Sequence, residues 1–550
     1  MGGFRSRAVF AGAVLSCALV SGGWFVERGF MRTNTPVPNG ARLFDQVYTR
    51  VARDYVDALP DSALYNNAAA GLVDELDDPH SSYLSPKLLA TLAERTSGRY
   101  AGVGAQIDVR DGWITIVAPL PGGPSEAAGI RAGDRIVEVN GEPMHGVSVE
   151  AAQKALRGNP GSVVRVTIER PGVATPVKFA LTRREIHVQS VQHASLLDGS
   201  VGYVQLTIFS EESAFDLRHT IDSLRGVGMK TLIFDLRGDP GGLLDQGVKV
   251  ADLFLDPKQE IVSTRGRAPR STQAFYDQAR QLWPDMPIVV LVDEGTASAA
   301  EIISGALQDH DRAVVVGSPT FGKGLVQTLY PLADGVALKL TTARWFTPSG
   351  RTIQRTAKDE EDQFRQAIAD GSAAPDTSGT APDTSIKARP IFHTDAGRTV
   401  RGGGGIVPDV LVRRDTLSAA EKEFARALAE KAGIYRDVLT AFALDLKQKG
   451  TVKSESFSVR PELHRAVYQQ LRARGVQVPQ AVYDSAAGLV DPQIGYEVAR
   501  YVFGRTAEFR RRAADDPQMQ SALTLLHRAQ TPHDLLTLAA AQPQSAHGTN

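Results

Sequence analysis

The sequence predicts a multidomain α/β protein in which helical regions flank a β-rich module and an α/β core. Three observations lead to this fold class. The chain has 550 residues, more than one domain of about 150 residues can account for. Short β-like runs separated by glycines fill residues 100–182, and apolar strands alternate with amphipathic helices from residue 201 to about residue 354.

Composition and charge exclude several classes of protein. Hydrophobic residues make up 42% of the chain, enough to build cores and to exclude wholesale disorder. The 61 basic and 62 acidic side chains give a net charge of −1, so no basic excess points to nucleic acid as a partner. Cys17 is the one cysteine, which excludes an internal disulfide and a zinc–thiolate site, and we expect no metal or other cofactor.

Residues 1–30 predict a membrane segment. Arg5 and Arg7 precede an uncharged run over residues 8–26, which as a helix would be about 28 Å long, close to the thickness of a bilayer core. A cleaved signal peptide is the alternative, but its apolar part is usually about 7 to 15 residues long. We expect an uncleaved anchor with the remaining chain exported to the periplasm, and we interpret Cys17 as a membrane-buried thiol.

A polar, proline-containing tether at 31–41 leads to a predicted helical unit at residues 43–95. Apolar residues recur there at helical spacing, as at Leu43, Val47 and Val51. Asp78 precedes Pro79, and a residue before proline is disfavoured in a helix. This dipeptide therefore predicts a turn between helices.

A β-rich module with two helices is predicted for residues 100–185. Its opening places Gly102, Val103 and Gly104 directly before a strand, so that backbone N–H groups could converge on an anion such as a peptide carboxylate. A plain turn explains the same glycines equally well, so their spacing alone leaves a binding function open.

The α/β core is predicted to cover residues 186–355 and to resume at 391–412. Between these parts, residues 356–390 are polar and contain a duplicated Pro-Asp-Thr-Ser, which is typical of a flexible insertion. From 417 to 545 the chain predicts successive amphipathic helices, to which we assign no chemistry.

Three glycine-containing segments of the core each follow a predicted strand, which is where open α/β folds place their sites. In the first, the paired Gly241 and Gly242 would let backbone N–H groups approach a ligand, as an oxyanion hole requires. In the second, Ser298 starts an apolar helix, where its hydroxyl could attack a substrate and the next N–H could hold the oxyanion. In the third, Lys323 lies between glycines beside apolar residues, which would lower its pKa from about 10.4 towards 7 and let it accept the serine proton.

Each of these residues also has a simpler interpretation. Ser298 stands where a serine commonly caps a helix, and a lysine such as Lys323 is usually solvated. Gln327 would adjoin Lys323 only if the intervening stretch were helical, since four residues of strand span about 13 Å.

Other catalytic chemistries find no support in the sequence. Residues 317–323 match the first seven positions of a phosphate-binding loop, but Gly324 occupies the eighth, where Ser or Thr is needed for magnesium. No G-x-S-x-G occurs, which disfavours a Ser-His-Asp hydrolase of the nucleophile-elbow type. The 11 histidines include no H-E-x-x-H pair, so a metalloprotease is unsupported.

At these segments the sequence resembles the carboxy-terminal processing peptidases, or tail-specific proteases, which are Ser-Lys enzymes with an inserted PDZ domain. The resemblance covers roughly residues 43–412 and implies a crotonase-like protease core with a PDZ module at 100–185. It rests on Leu-Asp-Asp-Pro-His-Ser-Ser-Tyr at 76–83, Tyr-Ala-Gly-Val-Gly at 100–104, the segments at 235–242, 295–301 and 321–327, Thr-Pro-Ser-Gly-Arg at 347–351 and Gly-Ile-Val-Pro-Asp at 405–409.

The same resemblance implies a role for each candidate site residue. Ser298 would be the nucleophile, Lys323 the general base and Gln327 the residue that orients the lysine. The residues that would bind substrate or its transition state are Gly242 and Ala299 in the oxyanion hole, Gly102, Val103 and Gly104 in the carboxylate-binding loop of the PDZ module, and Arg157, which would couple substrate arrival to the active conformation. Asp239 departs from the family, where Asn is common, and its charge would lower activity unless the carboxylate points away.

We therefore expect a membrane-anchored serine endopeptidase that captures a free protein C-terminus in its PDZ module and cleaves through an acyl-enzyme. Its partners would be protein or peptide substrates with free C-termini and the membrane, in a homo-oligomer. An adaptor or lipoprotein partner is left open, and nucleic acid is not expected. The alternative is an inactive PDZ scaffold that only binds partner C-termini, against which the intact Ser298, Lys323 and Gln327 argue.

Overall fold

The computed structural model describes residues 40–120, 122–170, 173–355, 389–412, 417–428 and 431–542. The predicted membrane segment at 1–30 and nearly all of the predicted insertion at 356–390 lie outside the described residues. None of the helices in these ranges is both long enough and apolar enough to cross a bilayer. The chain divides after Tyr83 into two compact units, each described below by itself.

The first unit is helical. It contains α1 (Gly40–Asp54) and α2 (Asp61–Asp74), and the rings of Tyr48 and Tyr65 stack at 4.5 Å. The Asp78 carboxylate accepts hydrogen bonds from the His80 N–H at 3.0 Å and the Ser81 hydroxyl at 2.6 Å. A turn therefore follows Asp78 at the dipeptide that predicted one. Strand β1 (Ser82–Leu84) spans the boundary along the chain.

The second unit begins with α3 (Pro86–Ser97) and the β-rich module. The module's strands are β2 (Arg99–Gly102), β3 (Ala105–Arg110), β4 (Trp113–Pro119), β5 (Arg135–Val139), β6 (Glu142–Pro143), β7 (Val163–Glu169), β8 (Val177–Thr182) and β9 (Arg184–His187), and its helices are α4 (Pro124–Ala127) and α5 (Val149–Leu156). The antiparallel sheet has the order β3-β4-β5-β7-β8, so β3 is an edge strand. Alternation along β7 explains its burial, since Val164, Val166 and Ile168 face the module's core.

A six-stranded sheet forms the centre of the α/β core. Its strands in spatial order are β10 (Val191–Leu197), β11 (Val201–Leu206), β12 (Thr231–Asp235), β15 (Ile288–Val292), β16 (Val314–Gly317) and β21 (Val410–Leu411). All neighbouring pairs are parallel except β10 with β11. Every residue of β12 and β15 is buried, which explains their continuous apolar runs, since helices cover both faces.

The helices that cover the sheet come from distant parts of the chain. One face packs against α6 (Ser213–Gly226), α7 (Leu244–Asp252) and α8 (Ala299–Asp309), and the other against α14 (Arg505–Asp515), α15 (Pro517–Arg528) and α16 (Pro532–Ala540). On the second face, Met519 and Leu525 of α15 join Val289 and Leu291 of β15 in one buried cluster. The last helices of the chain are therefore part of the α/β core.

A second, antiparallel sheet includes the strand that directly follows the Lys323 segment. It contains β13 (Glu260–Gly266), β14 (Gln273–Tyr276), β17 (Leu325–Pro331) and β18 (Ala337–Phe346), and a small pair is formed by β19 (Ile391–His393) and β20 (Thr399–Arg401). The remaining helices share a separate hydrophobic cluster and are α9 (Ala419–Leu428), α10 (Ala432–Lys449), α11 (Pro461–Ala473), α12 (Gln480–Ser485) and α13 (Ala487–Val502). This cluster contacts the β-rich module, because the guanidinium of Arg110 on β3 donates at 2.7 Å to both Thr440 Oγ1 and Tyr501 Oη.

Candidate active site

The three glycine-containing segments meet at one edge of the central sheet. They follow β12, β15 and β16, which are parallel neighbours, so their carboxyl ends lie side by side. The first two segments touch: a Cβ placed on Gly241 would lie 2.8 Å from the Ser298 Cβ and 2.7 Å from the Ala297 carbonyl oxygen. Only glycine permits this approach, and with φ at 89° its backbone is also in the left-handed region.

Ser298 has a strained backbone, with φ 54° and ψ −117°, directly before α8. The ordinary serine caps of this protein differ in backbone conformation, since Ser85 and Ser148 are extended, with φ near −65°. A residue that only caps a helix needs no such strain. Strained, non-glycine positions of this kind concentrate at functional sites, where the neighbouring structure holds them in place. The backbone of Ser298 therefore favours the nucleophile interpretation over the cap.

Glu301 connects the serine and lysine segments. Its Oε2 accepts hydrogen bonds from the N–H of Ser298 at 2.8 Å and from the N–H of Lys323 at 2.9 Å. Its Oε1 accepts from the N–H of Gly322 at 2.7 Å and from the Thr320 hydroxyl. The side chain is fully buried, and burial raises the pKa of its carboxyl, opposed by these four hydrogen bonds. One carboxylate oxygen thus brings the backbones of Ser298 and Lys323 side by side.

Sequence reasoning gave no role to Glu301, although a signal was present. A serine followed three residues later by glutamate is the capping-box pattern, in which the glutamate turns back to the N-cap N–H. Here that carboxylate also accepts a hydrogen bond from the N–H of Lys323, which lies 22 residues further along the chain. The sequence pattern predicts the hydrogen bond to the Ser298 N–H, but it does not predict the hydrogen bond to the Lys323 N–H.

Lys323 is partly buried between two tightly packed glycines. A Cβ on Gly322 would lie 3.0 Å from the N of Gly405, and a Cβ on Gly324 would lie 2.9 Å from the N of Gln354. The carbonyl of Lys323 accepts a hydrogen bond from the Trp345 indole at 3.0 Å. The backbone of the lysine is therefore fixed from both sides.

Gln327 lies on strand β17, so it does not adjoin Lys323 by helical spacing. Its side-chain amide donates to the Thr341 hydroxyl at 3.4 Å across the β17–β18 pair. The register shifts beside it, since Val326 pairs with Ala343 and Gln327 with Thr341. The role of Gln327 in orienting the lysine stays a prediction.

The loop over residues 236–243, called the oxyanion loop below after the role that the sequence predicts for Gly242, follows β12 and contacts the Ser298 segment. The Phe209 carbonyl accepts from the N–H of Leu243 at 2.8 Å, and the Phe209 N–H donates to the Gly241 carbonyl at 3.0 Å, which fixes Gly242 between them. Within the described residues, neither the N–H of Gly242 nor that of Ala299 donates to a protein acceptor. Two donors next to Ser298 are thus available for a developing negative charge.

Asp239 belongs to this oxyanion loop and is fully buried. Its Oδ1 accepts from the Gly241 N–H at 2.8 Å, its carbonyl accepts from the Ala297 N–H at 2.8 Å, and its Oδ2 has no hydrogen-bond partner within the described residues. Burial raises its pKa to about 8, opposed by the Gly241 hydrogen bond. At neutral pH the carboxyl is therefore mostly protonated, which removes the negative charge that the sequence predicted at this position.

A second network ties the oxyanion loop to the C-terminal helices. Arg237 pairs with Asp235 at 2.7 Å and with Asp516 at 2.6 Å, and it donates to Gln518 Oε1 at 3.1 Å. The Asp516 carboxylate also caps α15 by accepting from the N–H groups of Gln518 and Met519. No sequence signal identifies Asp516, because its partner lies 279 residues earlier in the chain.

The predicted carboxylate-binding loop lies in the β-rich module. Gly102, Val103 and Gly104 are buried, and a Cβ on Gly104 would lie 3.2 Å from the Cα of Gly123. The Val103 carbonyl accepts from the N–H of Ser125 at 2.9 Å and from its hydroxyl at 2.7 Å. The loop therefore leads into the edge strand β3 with its own carbonyl groups already satisfied.

Arg157 lies beside this loop, at the end of α5. Its guanidinium pairs with Glu94 of α3 at 2.7 Å and lies 5.0 Å from the centre of the Tyr100 ring. Its Cγ would be 3.8 Å from a Cβ on Gly102. The structure thus brings Arg157 together with the predicted loop and ties both to α3.

Comparisons with known proteins match two parts of the chain to known families. The family model of peptidase family S41 matches residues 200–361, and the family model of a PDZ domain matches residues 115–170. The chain is 39% identical over 350 residues to a carboxy-terminal-processing protease of Bartonella bacilliformis, covering 62% of this chain and 79% of that protein. It is 37% identical over 319 residues to the carboxy-terminal processing protease CtpA of Bacillus subtilis, covering 58% of this chain and 68% of that protein.

Among solved structures, the photosystem II D1 C-terminal processing protease matches with 32% identity and a TM-score of 0.33, over 56% of this chain and 83% of that one. The two sequence relatives are each matched over more than two thirds of their length, and they share one description. The chain therefore belongs to peptidase family S41, as a carboxy-terminal processing serine protease with a PDZ domain, an α/β protease core and a helical C-terminal region.

Proposed function

We propose that this protease uses Ser298 as its nucleophile and Lys323 as its general base. The observation that carries the proposal is the pairing of a strained Ser298 with Lys323 through one buried carboxylate oxygen of Glu301. The hydroxyl attacks the scissile carbonyl, and the lysine amine takes its proton. The oxyanion then receives hydrogen bonds from the N–H groups of Gly242 and Ala299.

The tetrahedral intermediate collapses when the C–N bond breaks and the lysine returns its proton to the leaving amine. Water then attacks the acyl-enzyme ester, again losing a proton to Lys323, and Ser298 is regenerated with its proton. Gln327 holds the lysine amine in its reactive position. Because the base must be neutral, cleavage should increase with pH above neutrality until another group limits it.

The PDZ module delivers the substrate. The loop at Gly102, Val103 and Gly104 binds the free carboxylate of the substrate chain, and the chain adds as a strand to the edge of β3. Arg157 transmits this binding to the rest of the enzyme through its contacts with Glu94 and Tyr100. These contacts link the recognition loop to the segment that precedes the module.

The sequence at residues 1–30 supports a membrane-anchored, periplasmic enzyme. The apolar run at residues 8–26 with Arg5 and Arg7 before it is what carries this part of the proposal. Protein or peptide substrates with free C-termini are its proposed partners, in a homo-oligomer.

The test compares one unstructured peptide that has a free apolar C-terminus with its amidated twin. Wild type should cleave the free form faster than the amide, and Ser298→Ala should cleave neither. Ser85→Ala is the matched control, since it removes an ordinary helix cap of α3 and should retain activity. If Ser298→Ala cleaves as well as wild type, the nucleophile is wrong. If no variant cleaves and all bind the free tail, the chain is the inactive scaffold.

A further inference from the structure

A groove lined by three arginines lies beside the lysine segment. Arg265 and Arg267 of the β13 region and Arg344 of β18 line an open groove of about 440 Å³, with Leu325, Thr341 and Thr342 along its side. Arg265 and Arg344 are directly opposite each other in the β13–β18 pair, and Arg344 is in turn opposite Leu325 of β17. The two guanidinium groups thus belong to neighbouring positions on one face of the sheet.

The charge of this groove is not compensated within the described residues. None of the three arginines forms an ion pair or a side-chain hydrogen bond there, whereas most arginines of the core do, such as Arg237 and Arg351. The Arg265 guanidinium lies 4.2 Å from the centre of the Phe346 ring, which holds it in place without neutralising it. Like charges directly opposite each other destabilise a sheet, so this pair has an energetic cost that an anion would relieve.

The groove is adjacent to the proposed catalytic residues. Leu325, which lines it, is two residues from Lys323, a separation of roughly 7 Å along an extended chain. Gln327 lies two residues further along β17 and is opposite Thr341, which also lines the groove. A substrate held at Ser298 would therefore pass close to the arginines.

We propose that this groove binds the carboxylate side chain of an Asp or Glu residue in the substrate, a few residues from the scissile bond. Guanidinium groups bind carboxylates in a bidentate manner, and two of them on neighbouring strands fit one carboxylate side chain. The proposal rests on the proposed function, because it assigns a substrate preference to that same site. It predicts a protease that selects acidic sequences in addition to a free C-terminus.

The test measures binding of paired peptides to the Ser298→Ala protein, so that it does not depend on turnover. The peptides share one free C-terminus and differ only by Glu or Gln at successive internal positions. At low salt, the Glu peptide should bind about tenfold more tightly at one or two of these positions, and salt should reduce the difference. Arg344→Gln and Arg265→Gln, each combined with Ser298→Ala, should bring the ratio close to one. The control Arg225→Gln, on the exposed part of α6, should leave the ratio unchanged.

A second measurement separates recognition from folding. Because Arg344 opposes a like charge and, within the described residues, makes no stabilising side-chain contact of the kind that Arg265 makes with Phe346, Arg344→Gln should leave the melting temperature unchanged or raise it. A lower melting temperature would show that the arginines are structural and would overturn the inference. Equal binding of Glu and Gln peptides at every position, or a preference that survives both substitutions, would also overturn it. Failure of Ser298 as nucleophile would appear in the cleavage assay and leave this binding ratio unaffected.

Discussion

Asp239 should give the enzyme an upper limit of pH for both stability and activity. In the folded protein, burial raises the pKa of its carboxyl to about 8 from an ordinary value of 3.8. Below pH 3.8 the folded and unfolded chains both hold the proton. Between pH 3.8 and 8 only the folded chain holds it, so rising pH favours unfolding by about 1.4 kcal/mol per pH unit. Above pH 8 both are ionised, and the full loss is on the order of 6 kcal/mol.

The variant Asp239→Asn isolates this effect, because an amide has a similar shape and does not titrate. The difference in free energy of unfolding between the variant and wild type should move in favour of the variant by about 4 kcal/mol from pH 5 to pH 8 and then stay constant. Urea unfolding followed by fluorescence suits the measurement, since Trp283 and Trp345 are buried in the core cluster beside the site. The control is Asp245→Asn, an exposed aspartate on α7, whose difference from wild type should vary little over this range.

Activity should report the same ionisation. A negative charge on Asp239 within the oxyanion loop opposes the negative charge that forms on the substrate, so wild-type kcat should fall as pH rises through about 8. Asp239→Asn should keep the rise that comes from Lys323 and lose this fall. A variant that still shows the fall, or a stability difference that is the same at pH 5 and pH 8, would refute a protonated Asp239.

Three further substitutions test the contacts that hold the site. Gly241→Ala places a Cβ against the backbone of the serine segment, so kcat should fall by about a hundredfold or more, measured by peptide cleavage. Glu301→Gln presents an NH₂ group to two of the four donors, so the free energy of unfolding should fall by about 2 to 4 kcal/mol in urea titration; an unchanged value would contradict the arrangement. Asp516→Asn weakens the ion pair to the oxyanion loop and should lower kcat several-fold with little change in KM. The control is Asp515→Asn, which should not lower kcat, since the Asp515 carboxylate accepts a hydrogen bond from Tyr496 instead.

Much of this architecture could be predicted from the sequence because its signals are local. Glycines at 241, 322 and 324 mark close backbone approaches, and the apolar runs before them mark buried strands. What the sequence could not supply depends on contacts between distant residues. The second role of Glu301, the pairing of Asp516 with the oxyanion loop and the burial that protonates Asp239 all arise only when separate segments meet. Gln327 illustrates the same limit. Whether it adjoins Lys323 depends on whether the residues between them form a helix or a strand, and the sequence left both possibilities open.

Helices α14–α16 lie beyond the residues that match peptidase family S41, yet they pack against the central sheet and belong to the same folded core. The strained backbone of Ser298 costs about 1 to 3 kcal/mol, and a buried Asp239 adds to that cost at neutral pH. Such costs are tolerated only where surrounding packing is strong. Here part of that packing comes from α15, whose Leu525 is buried against the sheet face opposite the α8 helix that Ser298 begins. The N-cap residue of this helix, Asp516, pairs with Arg237 of the oxyanion loop. Helices α14–α16 therefore stabilise the sheet and position the site at once, so a change that loosens them is expected to reduce catalysis.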